Sequence, residues 1–189
     1  MTSWVNEYNI FVSLSEMEMA RQYNILPRNN SRVIHNGVKN RVKPVEANVV
    51  RKLIRDSLHI PENSFLIITS CRLEEVKNLF EYIEIANLCP ELFFCILGDG
   101  PLKNKLKEEI SYRNNKNIYL TGHVRNTIKY IQAADIYLST SFREGHPISI
   151  LEAMSAGIPI IASKVSGNLD TITHAYSGYF YTLGNAREA

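Results

Sequence analysis

Residues 136–162 read IYLSTSFREGHPISILEAMSAGIPIIA. They hold an apolar run at 136–140, a polar loop, a mostly apolar helical run at 148–156 and a second apolar run at 159–162. Short runs without polar alternation suit strands buried on both faces, and a helix between two of them is the crossover that parallel strands require. Pro147 suits the first helical position, where no N–H is needed. Gly157 suits the helix stop, and Pro159 prevents continuation. The stretch therefore reads as strand, helix, parallel strand.

The same unit recurs on either side. Strands are expected at 65–70, 92–97 and 117–121, alternating with helices at 78–88, 102–112 and 127–133. A short helix at 169–174 and a strand at 179–181 follow. This order predicts an α/β fold, a Rossmann-like doubly wound parallel sheet with right-handed crossovers. In such sheets ligands bind beyond the carboxyl ends of the strands. The chain before residue 65 is less regular. It offers short strands at 9–14 and 32–35, a helix at 15–23 with Ser15 and Glu18 at capping-box spacing, and a turn at Asn36-Gly37. A polar stretch at 39–44 reads as a linker. A helix at 46–58 carries Val49, Val50, Leu53, Ile54 and Leu58 at helical spacing.

With 189 residues, 45% apolar and 21% charged, the chain has the makings of one sizeable domain but not of two full α/β domains. A net charge of +2 and dispersed Lys and Arg give no reason to expect a nucleic-acid partner. Cys71, Cys89 and Cys95 have neither the number of a disulfide framework nor the spacing of a zinc site. Reduced thiols and a cytoplasmic location are expected. No stretch approaches the ~20 apolar residues of a membrane span, and peripheral contact of a complete enzyme with a membrane is compatible with the sequence.

Three features mark the expected ligand edge. Gly98-Asp99-Gly100-Pro101 follows a strand and opens a helix, but Lys103 stands where a dinucleotide fingerprint has its third glycine. A tight turn needing glycine is the stronger reading. The loop at 141–147 feeds a helix whose free N–H groups would suit phosphate. Glu152 lies in that helix among Ile150, Leu151, Ala153 and Met154, and shares a face with Ser149. A carboxylate there needs a partner; a ribose diol and a lysine or arginine from another element serve equally well. Arg72 and Lys77, after the 65–70 strand, would bring cations to the same edge. Pairing with Glu74 and Glu75 as ordinary surface charge is the plainer reading of both.

The phrase EGHPISILEAMSAGIPIIAS, residues 144–163, resembles the Glu-x7-Glu signature of retaining GT-B glycosyltransferases, family 4 (glycosyl transferases group 1) in particular, with Glu144 and Glu152 as its acids. Ser13-Leu14-Ser15-Glu16, Val33-Ile34-His35-Asn36-Gly37-Val38, Arg72-Leu73 with Lys77-Asn78, Leu97-Gly98-Asp99-Gly100-Pro101 and Ala134-Asp135-Ile136 fit the same family in order. Cys71 departs from it by replacing a glycine. So does Ser166-Gly167 followed by Asp170, where Gly-Gly then Glu is usual.

The resemblance implies the C-terminal half of a GT-B fold. Residues 1–38 would end an N-terminal acceptor domain and its hinge. Residues 39–189 would form the nucleotide-sugar donor domain, short of its last helices. Arg72 and Lys77 would hold the diphosphate, and Glu144 and the Gly145, His146, Pro147 and Ile148 segment the sugar and phosphate. Glu152 and Ser149 would line the ribose side, and Gly122 and His123 the base. The implied activity is hexosyl transfer with retention from a UDP-, GDP- or ADP-sugar, in surface polysaccharide or glycoconjugate biosynthesis, without metal or other cofactor. A missing acceptor domain or a partner chain would complete the cleft. A non-catalytic nucleotide-sugar-binding module, or a subunit of a split transferase, is the alternative; a sugar phosphorylase or epimerase is a third. Because transfer needs donor and acceptor held together, the isolated chain is expected to bind nucleotide diphosphates weakly and to transfer little sugar.

Overall fold

The computed structural model describes residues 8–25, 30–39 and 44–189. The expected linker at 39–44 falls mostly outside them. A small parallel pair, β1 (Asn9–Phe11) and β2 (Ser31–Val33), flanks α1 (Leu14–Gln22). After α2 (Pro44–Ser57) the alternation runs β3 (Leu66–Ser70), a 3-10 turn (Glu75–Lys77), α3 (Leu79–Leu88), β4 (Phe93–Leu97), α4 (Lys103–Tyr112), β5 (Ile118–Gly122) and α5 (Thr127–Ala133). It continues with β6 (Ile136–Ser139), α6 (Ile148–Ser155), β7 (Ile160–Ser163), α7 (Asn168–Thr171) and β8 (Tyr179–Tyr181).

The six strands from β3 onward form one parallel sheet in the order β5-β4-β3-β6-β7-β8. The doubly wound α/β sheet expected from the sequence is thus present. Its winding reverses between β3 and β6: the chain first builds outward to β5, then returns to the other side of β3. The helices that follow β3 and β6 pack on opposite faces of the sheet, and such a switch point is where sheets of this kind take ligands.

Both faces are apolar because alternate residues of each central strand serve different layers. Ile67, Phe94 and Ile96 pack with Tyr82, Ile83 and Leu106 on one face. Leu66, Ile68, Cys95 and Leu97 pack with Ile131, Ile150 and Ala153 on the other. Each fully buried Leu, Ile or Phe contributes about 1.5–3 kcal/mol, which is why these strands read as unbroken apolar runs.

At the opposite, amino end of the sheet Arg55 is 1% exposed. Its guanidinium donates to the carbonyls of Ala133 (3.1 Å) and Ser64 (2.6 Å) and to Asp135 Oδ2 (2.6 Å). Asp135 also pairs with Arg51 at 2.6 Å and accepts the Leu66 N–H at 2.8 Å. This cluster ties α2 to the starts of β3 and β6, and frees their carboxyl ends for a site.

Two local expectations are corrected. The cap of α1 is Ser13, whose hydroxyl accepts the Glu16 N–H at 3.2 Å; Ser15 lies inside the helix and its N–H donates to Asp170 Oδ2 at 3.1 Å. Both serines have a glutamate three residues on, and docking against Asp170 selects between them. Pro147 is the cap of α6, with ψ at 111°, and the helix begins at Ile148. That helix is half-buried, with Ile150 and Ala153 inside and Ile148 53% exposed.

Candidate functional site

The two loops at the winding reversal are sewn together. Thr140 Oγ1 donates to the carbonyls of Lys77 (3.0 Å) and Asn78 (3.1 Å), and the Phe142 N–H to that of Val76 (2.9 Å). Lys77 Nζ donates to both carboxylate oxygens of Glu144, at 2.8 and 2.9 Å, and Ser141 Oγ adds a third bond at 2.6 Å. Glu144 is half-buried and held by these three hydrogen bonds. The backbone beneath it is held by Gly167: at φ +79°, a Cβ there would stand 2.2 Å from the Glu144 carbonyl oxygen. Only glycine fits both the dihedral and the space.

Two clefts flank these loops. The first, about 360 Å³, is lined by Ser70, Cys71, Arg72, Gly98, His123 and Thr127, among others. Burial pushes the Cys71 thiol up to about 12, so it presents a neutral wall. The three cysteines are free thiols. Gly98 belongs to the turn rather than to a nucleotide fingerprint, since a Cβ there would meet the Cys71 carbonyl oxygen at 1.8 Å. Arg72 is 72% exposed and paired with Glu74 at 2.8 Å. The ordinary surface-charge reading thus describes its state here. An exposed pair of this kind is worth about 0–1 kcal/mol, so little opposes its turning to a ligand. Glu152 meets Thr127, whose Oγ1 is 3.4 Å from Oε2. Among the described residues no lysine or arginine pairs with it, and the cation offered above as its partner is not found.

The second cleft, about 370 Å³, is lined by Glu16, Met19, Val76, Lys77, Arg143, Glu144, Gly145 and Ser166. Here α1 forms a wall opposite the loop after β6. The bare Cα of Gly145 is approached by the Glu16 side chain: a Cβ on Gly145 would lie 2.4 Å from Glu16 Oε1.

Arg72, Gly122 and His123 gather at or beside the first cleft, and Lys77, Glu144 and Gly145 at the second. Two predicted residues turn elsewhere. The buried His146 ring stacks on His35, 4.8 Å between centroids, and its carbonyl accepts from Asn36 Nδ2 at 2.8 Å. Burial, then His35, lowers its pKa, with Asp170 acting the other way. Ser149 hydrogen-bonds the buried Tyr137 phenol, which also meets the Ser70 backbone. Pro147 and Ile148 open α6, whose first turn has no side-chain cap; those N–H groups are available to an anion. Sequence reasoning missed Ser141, Ser166 and Glu16 as site residues, because their proximity to Glu144 and Gly145 is tertiary. Ser141 alone carried a signal, lying three residues before Glu144 on the same loop.

A parallel sheet with a winding reversal, with clefts and an exposed arginine at its carboxyl edge, defines the doubly wound α/β class, which takes its ligands at that edge. Residues 50–189 match the glycosyl transferases group 1 family, and the chain belongs to it. It is 33% identical over 136 residues to the UDP-Gal:alpha-D-GlcNAc-diphosphoundecaprenol alpha-1,3-galactosyltransferase of Escherichia coli, covering 68% of this chain and 35% of that protein. It is also 33% identical over 147 residues to an amylovoran biosynthesis glycosyltransferase of Erwinia amylovora, covering 71% and 35%. Among solved structures, HepE of Anabaena in complex with UDP-glucose superposes with a TM-score of 0.88 at 23% identity, covering 99% of this chain and 53% of that one. The chain thus spans about a third of these curated relatives, and its fold is that of GT-B glycosyltransferases. Among the described residues no helix is long and apolar enough to cross a membrane.

Proposed function

We propose that this chain is the donor-binding domain of a retaining glycosyltransferase of family 4, which moves a hexosyl unit from a nucleotide diphosphate sugar to an acceptor in surface polysaccharide or glycoconjugate biosynthesis. The observation that carries the reading is the Lys77–Glu144 pair, which joins the loop after β3, where Arg72 lies, to the loop after β6, where α6 begins without a side-chain cap. The relatives' names, which include a UDP-galactose-dependent transferase, support a nucleotide-sugar donor.

In this reading the diphosphate sits at the first turn of α6, and Arg72 leaves Glu74 to grip it. Arginine holds phosphate bidentately, and its charge stabilises the leaving group as the glycosidic bond breaks. Glu152 and Thr127 receive the ribose, with His123 beside the base. Lys77 neutralises Glu144 and fixes its carboxylate toward the sugar hydroxyls. Glu144 acts by positioning, not as a nucleophile, and the acceptor attacks the face the phosphate leaves. The protein cations take the place of a metal. Residues 1–38 belong to the acceptor side and hinge, residues 39–189 to the donor side.

Calorimetric titration of UDP, GDP, ADP and their glucose conjugates into the wild type, Arg72→Ala and Glu152→Ala tests this. At least one nucleotide is expected to bind the wild type, and both substitutions to weaken it. Affinity unchanged in both variants would place the nucleotide elsewhere.

A further inference from the structure

We propose that Glu16 is a specificity-determining residue whose carboxylate accepts a hydrogen bond from a hydroxyl of the sugar carried by the nucleotide. This rests on the donor-site reading above and assigns the second cleft to the sugar.

The carboxylate is placed by three features. Ser13 caps α1 through the Glu16 N–H, Ser15 N–H docks the first turn on Asp170, and Asn36 ties the following segment to the His146 carbonyl. The bare Cα of Gly145 then lets Glu16 Oε1 reach the loop after β6. Gly145 has no positive φ that would demand glycine for the backbone, so the room it leaves for Glu16 is its distinguishing consequence.

The charges of the cleft separate the two acids. Glu144 takes two hydrogen bonds from Lys77 and a third from Ser141. Among the described residues no hydrogen bond or ion pair engages the Glu16 carboxylate. Its acceptor capacity is therefore directed at whatever enters the cleft. Lys77 and Arg143 balance the two carboxylates of the cleft, so it carries no net charge, and a sugar brings hydroxyl donors for the Glu16 carboxylate and no charge of its own. The cleft's volume of about 370 Å³ falls within the range of small-molecule sites, roughly 300–1,000 Å³. The two clefts thus divide the ligand: anionic diphosphate beside Arg72, neutral sugar between Glu16 and Glu144.

The test compares each nucleotide diphosphate with its glucose conjugate, using UDP, GDP and ADP, on the wild type, Glu16→Ala and Glu16→Gln. In the wild type the sugar strengthens binding. Glu16→Ala is expected to weaken the conjugate roughly tenfold, the scale of one charge-assisted hydrogen bond, while the free nucleotide binds as before. Glu16→Gln, which keeps the size and one acceptor oxygen, falls between. Equal losses for nucleotide and conjugate, no loss for either, or no gain from the sugar in the wild type overturns the assignment of Glu16. Absence of any nucleotide binding by the wild type overturns the donor-site reading itself.

Discussion

Lys77 Nζ stands 2.8 Å from one carboxylate oxygen of Glu144 and 2.9 Å from the other, so a cation leaving β3 clamps an acid leaving β6. The side chains are 23% and 12% exposed, and truncating one strands the other in a partly dehydrated place. Lys77→Ala is expected to destabilise the fold by about 1–3 kcal/mol. Glu144→Gln in the same background should recover part of that loss. Urea denaturation of the two single variants and the double variant measures the coupling; strictly additive effects would mean the clamp has no energetic content.

Gly167 and Gly157 separate two consequences of adding a methyl group. Both have positive φ, +79° and +72°, but a Cβ on Gly157 meets nothing within 4 Å, whereas one on Gly167 meets the Glu144 carbonyl oxygen at 2.2 Å. Gly157→Ala should cost only the left-handed backbone strain of about 1–2 kcal/mol. Gly167→Ala should cost more and also weaken nucleotide-sugar binding, because the Glu144 loop must move. Thermal melts and titrations of the two variants side by side decide this.

Arg55 should be the most sensitive cation in the chain. Its replacement by alanine leaves several inward carbonyls without their donor and Asp135 with only Arg51 and the Leu66 N–H, and is expected to cost about 3–5 kcal/mol. Arg51→Ala, which removes the more exposed partner of Asp135, should cost less. Chemical denaturation of both variants reads the difference.

The His35–His146 stack predicts an acid-sensitive fold. Burial and His35 lower the His146 pKa in the folded chain, opposed by Asp170. Between that lowered value and the ordinary one of about 6.5, the unfolded chain binds more protons, so stability rises with pH there and is lost as pH falls below about 6.5. His146→Phe should flatten this part of a stability profile measured from pH 7.5 to 5. A profile as steep as the wild type's would assign the acid sensitivity to other groups.

Much of this fold was legible because the central strands are buried on both faces: Leu66, Ile67 and Ile68 are all apolar although they face different layers. The helix stop at Gly157 and the turn at Gly98 were equally readable, since each expresses a local backbone demand. What escaped the sequence depends on distant partners. Arg55, between Ile54 and Asp56, looks like a solvent-facing helical residue until the carbonyls of Ala133 and Ser64 surround it. His146 sits in the loop that resembles a donor contact, yet its ring packs on His35, which only the docking of the N-terminal segment brings near. Ser13 and Ser15 offered identical capping patterns, and Asp170, far along the chain, selects between them.

In the proposed reading a nucleotide diphosphate binds at the edge where the loops after β3 and β6 meet. A crystal structure of the chain with the best-binding nucleotide diphosphate decides this. The diphosphate is expected at the first turn of α6, gripped by Arg72 released from Glu74, with the ribose against Glu152. A nucleotide bound away from that turn, with Arg72 still on Glu74, would overturn the reading.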